Sequence, residues 1–151
     1  MIARIGWVLP SITISLSTIL HIISGEYRAF PFFISETDYP GLQRTIFTGG
    51  LCITGILVVI ISWKLFVKNK SKTRWYWMEL SMLSGVFAGI NISLMSFMDM
   101  YDHLDMHITT SMNVFYFGLG WCFTTHLAMK HGNEKGKRLS LIHISEPTRQ
   151  I

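Results

Sequence analysis

The sequence predicts an all-α, polytopic transmembrane bundle. Three observations predict it: apolar runs of membrane-crossing length, a scarcity of charge, and a lopsided distribution of lysine and arginine. Half of the 151 residues are hydrophobic and 15% are charged, with a mean hydropathy of +0.38. A soluble domain carries about 25% charged residues, so the deficit makes lipid the expected main solvent. The net charge of +4 does not point to nucleic acid. The basic residues sit in short loops between apolar runs, with no basic–aromatic interleaving and no zinc-finger spacing.

Four runs reach the roughly 20 residues that a ~30 Å hydrocarbon core requires: about 5–23, 45–66, 76–98 and 108–129. Lipid offers the backbone no hydrogen bonds, so each is expected to be a helix. Arg4, Lys64, Lys68, Lys70, Lys72, Arg74, Lys130, Lys135, Lys137 and Arg138 fall on one side of the spans. Only Arg28 and Arg44 fall on the other, beside Glu26, Glu36, Asp38, Asp99, Asp102 and Asp105. This bias predicts a cytosolic N-terminus, loop 67–75 and segment 130–138, with loops 24–44 and 99–107 lumenal or extracellular. The aromatic residues Trp7, Trp63, Trp75, Tyr76 and Trp77 near run ends suit the interface.

A cleaved signal peptide is the rival for the first run. Its apolar stretch exceeds the usual length of about 7–15 residues, and Ile22-Ile23-Ser24 is a poor cleavage site. The pattern Asn69-Lys70-Ser71 is a glycosylation acceptor that should stay unmodified in a cytosolic loop. Short connections predict that sequential helices pack as antiparallel neighbours. The exception is the aromatic loop 25–44, with Pro31 and Pro40, whose length predicts a structured cap over the helix ends. Cys52 and Cys122 differ in predicted depth by roughly 10 Å, too far for a bridge.

The C-terminal stretch stands apart. Residues 139–149 have no helical period and match, residue for residue, the translation of a transposase-type sequencing adapter. Residues 139–151 are therefore expected to be a technical scar, and the native chain is expected to continue past Arg138. Setting them aside removes one Arg and one Glu, so the charge stays +4.

Several constellations carry possible chemistry. Ser81, Gly85, Gly89 and Ser93 recur every four residues in the third run, a stripe that lets a neighbouring backbone approach. Packing within the chain is the simpler reading and a homo-oligomer seam the alternative. Asn91 in that run and Asn113 in the fourth should face other helices, since an unpartnered amide in hydrocarbon is costly. Asp99, His103 and His107 would share a face if helical, and could ligate zinc or pair an acid with a base, with His21 and Glu26 completing a site. That array lacks an HExxH pair, and three outer carboxylates also fit a solvated acidic loop. No catalytic residue, cofactor or firm metal ligand is assigned. His126 is expected to cap or snorkel beside Lys130, and the methionines to be packing residues. Lys64, Lys68, Lys70, Lys72 and Arg74 should attract anionic lipid headgroups, by about 1 kcal/mol per charge.

The outer loop is the most distinctive segment. Phe30-Pro31-Phe32-Phe33-Ile34-Ser35-Glu36-Thr37, then Pro40 and Ile46-Phe47, resembles the Frag/DRAM/Sfk family of multi-span proteins. That family carries P-[FY]-[IL]-S-[DE]-T-G after its first span, then a Pro-rich turn and an Ile-Phe pair opening the second. His107 stands where members often carry a histidine before the fourth span. The chain departs from the signature at Asp38, where the family has Gly, and lacks the acid that usually follows the Pro pair. The resemblance covers about 1–138 and implies the first four of six spans. It further implies a protein of lysosomal, Golgi or plasma membranes. The DRAM branch, to which the Ser-Glu-Thr spelling is most similar, modulates autophagy without catalysis. The Frag branch remodels GPI-anchor lipid, and the Sfk branch affects phospholipid distribution. No agreed catalytic residues accompany the resemblance. A membrane metallohydrolase built on Asp99, His103 and His107 is the remaining alternative.

Overall fold

A computed structural model describes residues 2–27, 33–73 and 75–145, the segment 131–145 as backbone only. Its described residues form four helices, α1 (Ile2–Ser24), α2 (Leu42–Asn69), α3 (Trp75–Phe97) and α4 (Leu104–Ser145), with one 3-10 turn at Ile34–Thr37. Pro31, Phe32 and Arg74, singled out in the sequence, lie outside the described residues.

The helix boundaries follow from local chemistry. Gly25 ends α1 at φ +72°, a conformation that favours a residue without Cβ, and its N–H donates to the Ile22 carbonyl. Pro40 and Gly41, the latter at φ +140°, turn the chain into α2. Between α3 and α4 the carboxylate of Asp99 accepts the backbone N–H groups of Tyr101 (2.9 Å) and Asp102 (2.7 Å). Such an Asx turn reverses the chain within a few residues.

Sequential helices are antiparallel neighbours. A Cβ on Gly6 would meet Ile61, one on Gly50 would meet Thr13, and Ser17 bonds the Gln43 carbonyl, so α1 and α2 run oppositely. Gly55 faces Gly89 and Ser93, and Ser62 faces Gly85. Three of the four residues of the α3 small-residue stripe therefore face α2. At the stripe's start Ser81 instead bonds the Thr125 hydroxyl of α4 at 2.6 Å. Asn113 donates to Asn91 across α3 and α4 at 3.2 Å, beside the stacked rings of Phe87 and Phe117. The bundle thus has a cap end, holding the loop before α2 and the turn before α4, and an opposite end bearing Arg4 and the lysines around 64–72.

Burial runs opposite to a water-soluble fold. Ser17, Ser62, Ser81 and Thr13 are buried, whereas Ile12, Ile19, Ile53, Leu83, Ile90 and Leu94 are exposed. Only 17%, 22% and 33% of the most apolar stretches of α1, α2 and α3 is covered. In water this arrangement would leave a large unsolvated apolar surface; in lipid, small polar residues inside and aliphatics outside are expected. Among the described residues these three helices are long and apolar enough to cross a membrane, which is compatible with a multi-pass integral membrane protein.

The fourth predicted span differs. Residues 108–129 are helical within α4, but Thr109, Thr110, Asn113, Thr124, Thr125 and His126 dilute the apolar run, and α4 does not stand with the other three. Helix α4 also continues through Lys130 into the stretch matching an adapter translation, as far as Ser145, two residues before Pro147. The helical backbone there contrasts with the absence of apolar period: a helix already nucleated propagates through residues that lack one. Residues 146–151 lie outside the described residues. Cys52 and Cys122 are free thiols.

A buried polar cluster beneath the cap

Helix α1 presents Thr13, Ser17 and His21 at spacings of four, all buried; Thr13 meets Gly50 of α2, and Ser17 and His21 receive the cap. The Ser17 hydroxyl lies 3.1 Å from the Thr37 carbonyl and 3.0 Å from that of Gln43, sharing one proton between the end of the 3-10 turn and the start of α2. The 3-10 turn closes on itself. Glu36 accepts the Phe33 N–H through its carboxylate at 3.2 Å, and the Thr37 hydroxyl donates to the Ile34 carbonyl at 2.6 Å. Tyr101 donates to the Glu36 carbonyl at 3.1 Å and so ties the turn before α4 to the cap. Tyr39 packs its ring beside His21 and edge-on to Tyr101. Its hydroxyl donates to Glu26 at 3.2 Å, and that anion raises the phenol's pKa above its ordinary value. The described residues 33–41 thus form a lid held against α1 and the turn before α4.

Under this lid sit three charges. Arg44, at the start of α2, donates through Nε to the Asp38 carbonyl at 3.2 Å, and the same atom lies 3.6 Å from the Asp38 carboxylate. Its terminal nitrogen lies 3.4 Å from Asp99. Asp38 is 1% exposed, and neither of its carboxylate oxygens has a hydrogen-bond partner. Burial pushes its pKa up to about 7, against the opposing pull of Arg44 and with reinforcement from Asp99. Desolvation also acts to raise Asp99, but the N–H groups of Asp102 and Tyr101, with the positive charges of Arg44 and His103, outweigh it and hold that carboxyl below the usual range. Arg44 and Asp99 therefore form a mutually compensated pair, and Asp38 is the odd charge. A cavity of about 190 Å³ adjoins all three, lined also by Thr48, Ser96 and Phe97.

The Asp99–His103–His107 array does not assemble as a ligand set. Among the described residues no three His, Cys, Asp or Glu side chains are placed to hold a metal ion. The reason is local: residues 99–103 form the turn, so the helical spacing that would align them begins only at Leu104. Asp99 caps backbone N–H groups, His103 is exposed, and His107 commits Nδ1 to the Met98 carbonyl at 2.6 Å. His21 and Glu26 do meet, through Tyr39, on the lid side of the cluster. Of the loop signature, Ile34, Ser35, Glu36 and Thr37 form the 3-10 turn and Pro40 leads into α2.

Charge inventory alone missed Asp38 and Arg44 as a site, and the cap-receiving stripe of α1. The four-residue spacing of Thr13, Ser17 and His21 was the available signal, identical in kind to the α3 stripe. No protein-family model, curated protein or solved structure matches the chain.

Proposed function

We propose that this chain is a multi-pass membrane protein that modulates autophagy or lysosomal function without catalysing a reaction, in the manner of the DRAM branch its outer loop resembles. The cap, residues 26–43, is the recognition surface. The observation that carries this reading is the anchoring of the resembled segment: Ser35-Glu36-Thr37 is held against α1 and the turn before α4 by buried hydrogen bonds. A loop that merely connected two spans would gain nothing from such pinning, whereas a recognition surface needs a fixed shape.

In this reading α4 supplies a fourth crossing, with its polar residues facing α3 as Asn113 does. The N-terminus, loop 67–75 and residues 130–138 are cytosolic, and the cap faces the lumen of lysosome or Golgi or the cell exterior. The exposed Lys64, Lys68, Lys70 and Lys72, with Arg74 beside them in sequence, meet anionic headgroups of the cytosolic leaflet. Partners are membrane lipids and a protein recognised by the cap; no nucleic acid is involved.

The test pairs Ser17→Ala with Tyr101→Phe, which unpins the cap and leaves the spans intact. Cells lacking the protein should show altered autophagic flux, restored by the wild type and not by the double variant at matched localisation. Flux unaffected by loss of the whole protein would defeat the proposal. A second reading, lipid remodelling of the GPI-anchor branch, is favoured by the charged cavity under the cap. Loss of surface retention of GPI-anchored proteins, with flux unchanged, would select it.

A further inference from the structure

We propose that the cavity beneath the cap is a binding site for a primary ammonium group, accepted by Asp38 together with the hydroxyls of Thr48 and Ser96. The inference does not rest on the autophagy reading; it follows from three features of the cavity. The first is charge. Two carboxylates and one guanidinium line it, and the Arg44 charge is answered by Asp99 at 3.4 Å, leaving one buried negative charge unmatched. An uncompensated buried ion is strongly unfavourable, and a monocation brings the lining to neutrality.

The second feature is hydrogen bonding. Asp38 lines the cavity, and neither of its buried carboxylate oxygens accepts a hydrogen bond. The Ser96 hydroxyl spends its proton on the Ser93 carbonyl at 2.7 Å, so it meets a ligand as an acceptor. The cavity therefore offers acceptors to a group with several N–H donors. An ammonium has three; a quaternary ammonium such as choline has none. A hard metal ion fits poorly, because Arg44 stands 3.6 Å from the same carboxylate and no three-ligand set exists among the described residues.

The third feature is position and size. A volume of about 190 Å³ holds roughly six waters at ~30 Å³ each, ample for an ammonium on a short stem. The cavity lies where α2 begins and α3 ends, passing the exposed ring of Phe97. In a membrane this is headgroup depth, so the ammonium comes from an ethanolamine lipid or from a small soluble amine. Asp38 is also the residue at which the outer loop departs from the signature it resembles.

A proton competes for the same carboxylate. The charges acting on Asp38 are Arg44 from α2 and Asp99 from the end of α3. The other titratable groups of the cap region, among the described residues, are Glu26, Tyr27, Glu36 and Tyr39 of the cap, His21 on α1, Tyr101, Asp102 and His103 of the turn before α4, and His107 on α4. Because burial lifts Asp38 to about 7, ammonium binding is strong above that pH and fades as the carboxyl protonates below it.

The experiment uses the full chain in detergent, with ethanolamine and tetramethylammonium as probes. At about pH 8, ethanolamine at about ten times its dissociation constant should raise the melting temperature by about 4 °C, and tetramethylammonium should not. The effect should vanish at about pH 5.5 and in Asp38→Asn. Reconstitution then separates the sources. Stabilisation in phosphatidylethanolamine over phosphatidylcholine discs assigns a lipid headgroup, and equal behaviour in both assigns a soluble amine. An equal response to tetramethylammonium, no response to ethanolamine at pH 8, or a response retained by Asp38→Asn overturns the site. The probe comparison in wild type decides the matter even where the variant does not fold.

Discussion

Asp38 sets the chain's behaviour at the scale of single residues. Its carboxyl holds a proton up to about pH 7 in the fold but releases it near 3.8 in an unfolded chain. Over that interval the folded state binds more protons, so this group's contribution to stability is complete in acid and is lost as pH rises toward 7. Asp99 works in the opposite sense. Its depressed pKa favours the fold above the ordinary carboxylate range and withdraws that support only in stronger acid. Between about pH 5 and 8 the Asp38 term therefore acts alone of the two. The wild-type melting temperature should fall by several degrees across this range, and Asp38→Asn, an uncharged isostere, should flatten the profile. Parallel profiles for the two proteins would show that the carboxyl is not desolvated. Sequence reading put Asp38 and Arg44 on one side of the spans and saw nothing more in them. Asp38 and Arg44 are near neighbours in sequence; what no local pattern encodes is the approach of Asp99, from the end of α3, to Arg44.

Helix pairing is where sequence spacing was most informative. The stripe Ser81, Gly85, Gly89 and Ser93 was expected to let a neighbouring backbone approach; in the structure Gly55, Gly85 and Gly89 lie at the α2–α3 seam, and Ser81 turns to α4. A Cβ at Gly89 would stand 2.6 Å from the Gly55 carbonyl oxygen and 3.1 Å from the Val59 nitrogen, both backbone atoms that cannot swing aside. Gly89→Val should cost about 1–3 kcal/mol and lower the melting temperature accordingly. Gly118→Ala in α4, where nothing lies within 4 Å, should be neutral or stabilising by up to ~1 kcal/mol through helix propensity. Equal losses at the two sites would mean that the helices do not approach as described. Elsewhere periodicity misled. Asp99, His103 and His107 have helical spacing in a segment whose first five residues are a turn, because the Asp99 side chain captures the N–H groups that a helix would leave to its preceding carbonyls. In α4, length was legible, but Thr125 and Asn113, which bond residues of α3, and the threonines that bond α4's own carbonyls lower the apolarity of the run.

For the molecule as a whole, the all-helical class and the order of the spans were legible because lipid permits so few backbone solutions. What the structure adds is distribution. Small polar residues fill the interior and aliphatic side chains cover the outside, so the same helices could not be stable as a bundle in water. The acceptor pattern at Asn69 is a weaker topological probe than its sequence suggests. Once the chain has folded, Asn69 is 9% exposed and donates its amide to the Leu65 carbonyl, so a negative result in the folded protein would not by itself fix the side. The proposed cap, cavity and lipid contacts all presuppose that α1, α2 and α3 lie across a bilayer. Alkaline carbonate extraction of membranes from cells making the untagged chain tests this directly. The chain should remain wholly in the membrane pellet and move to the supernatant only with detergent. Its release by carbonate alone would contradict the account.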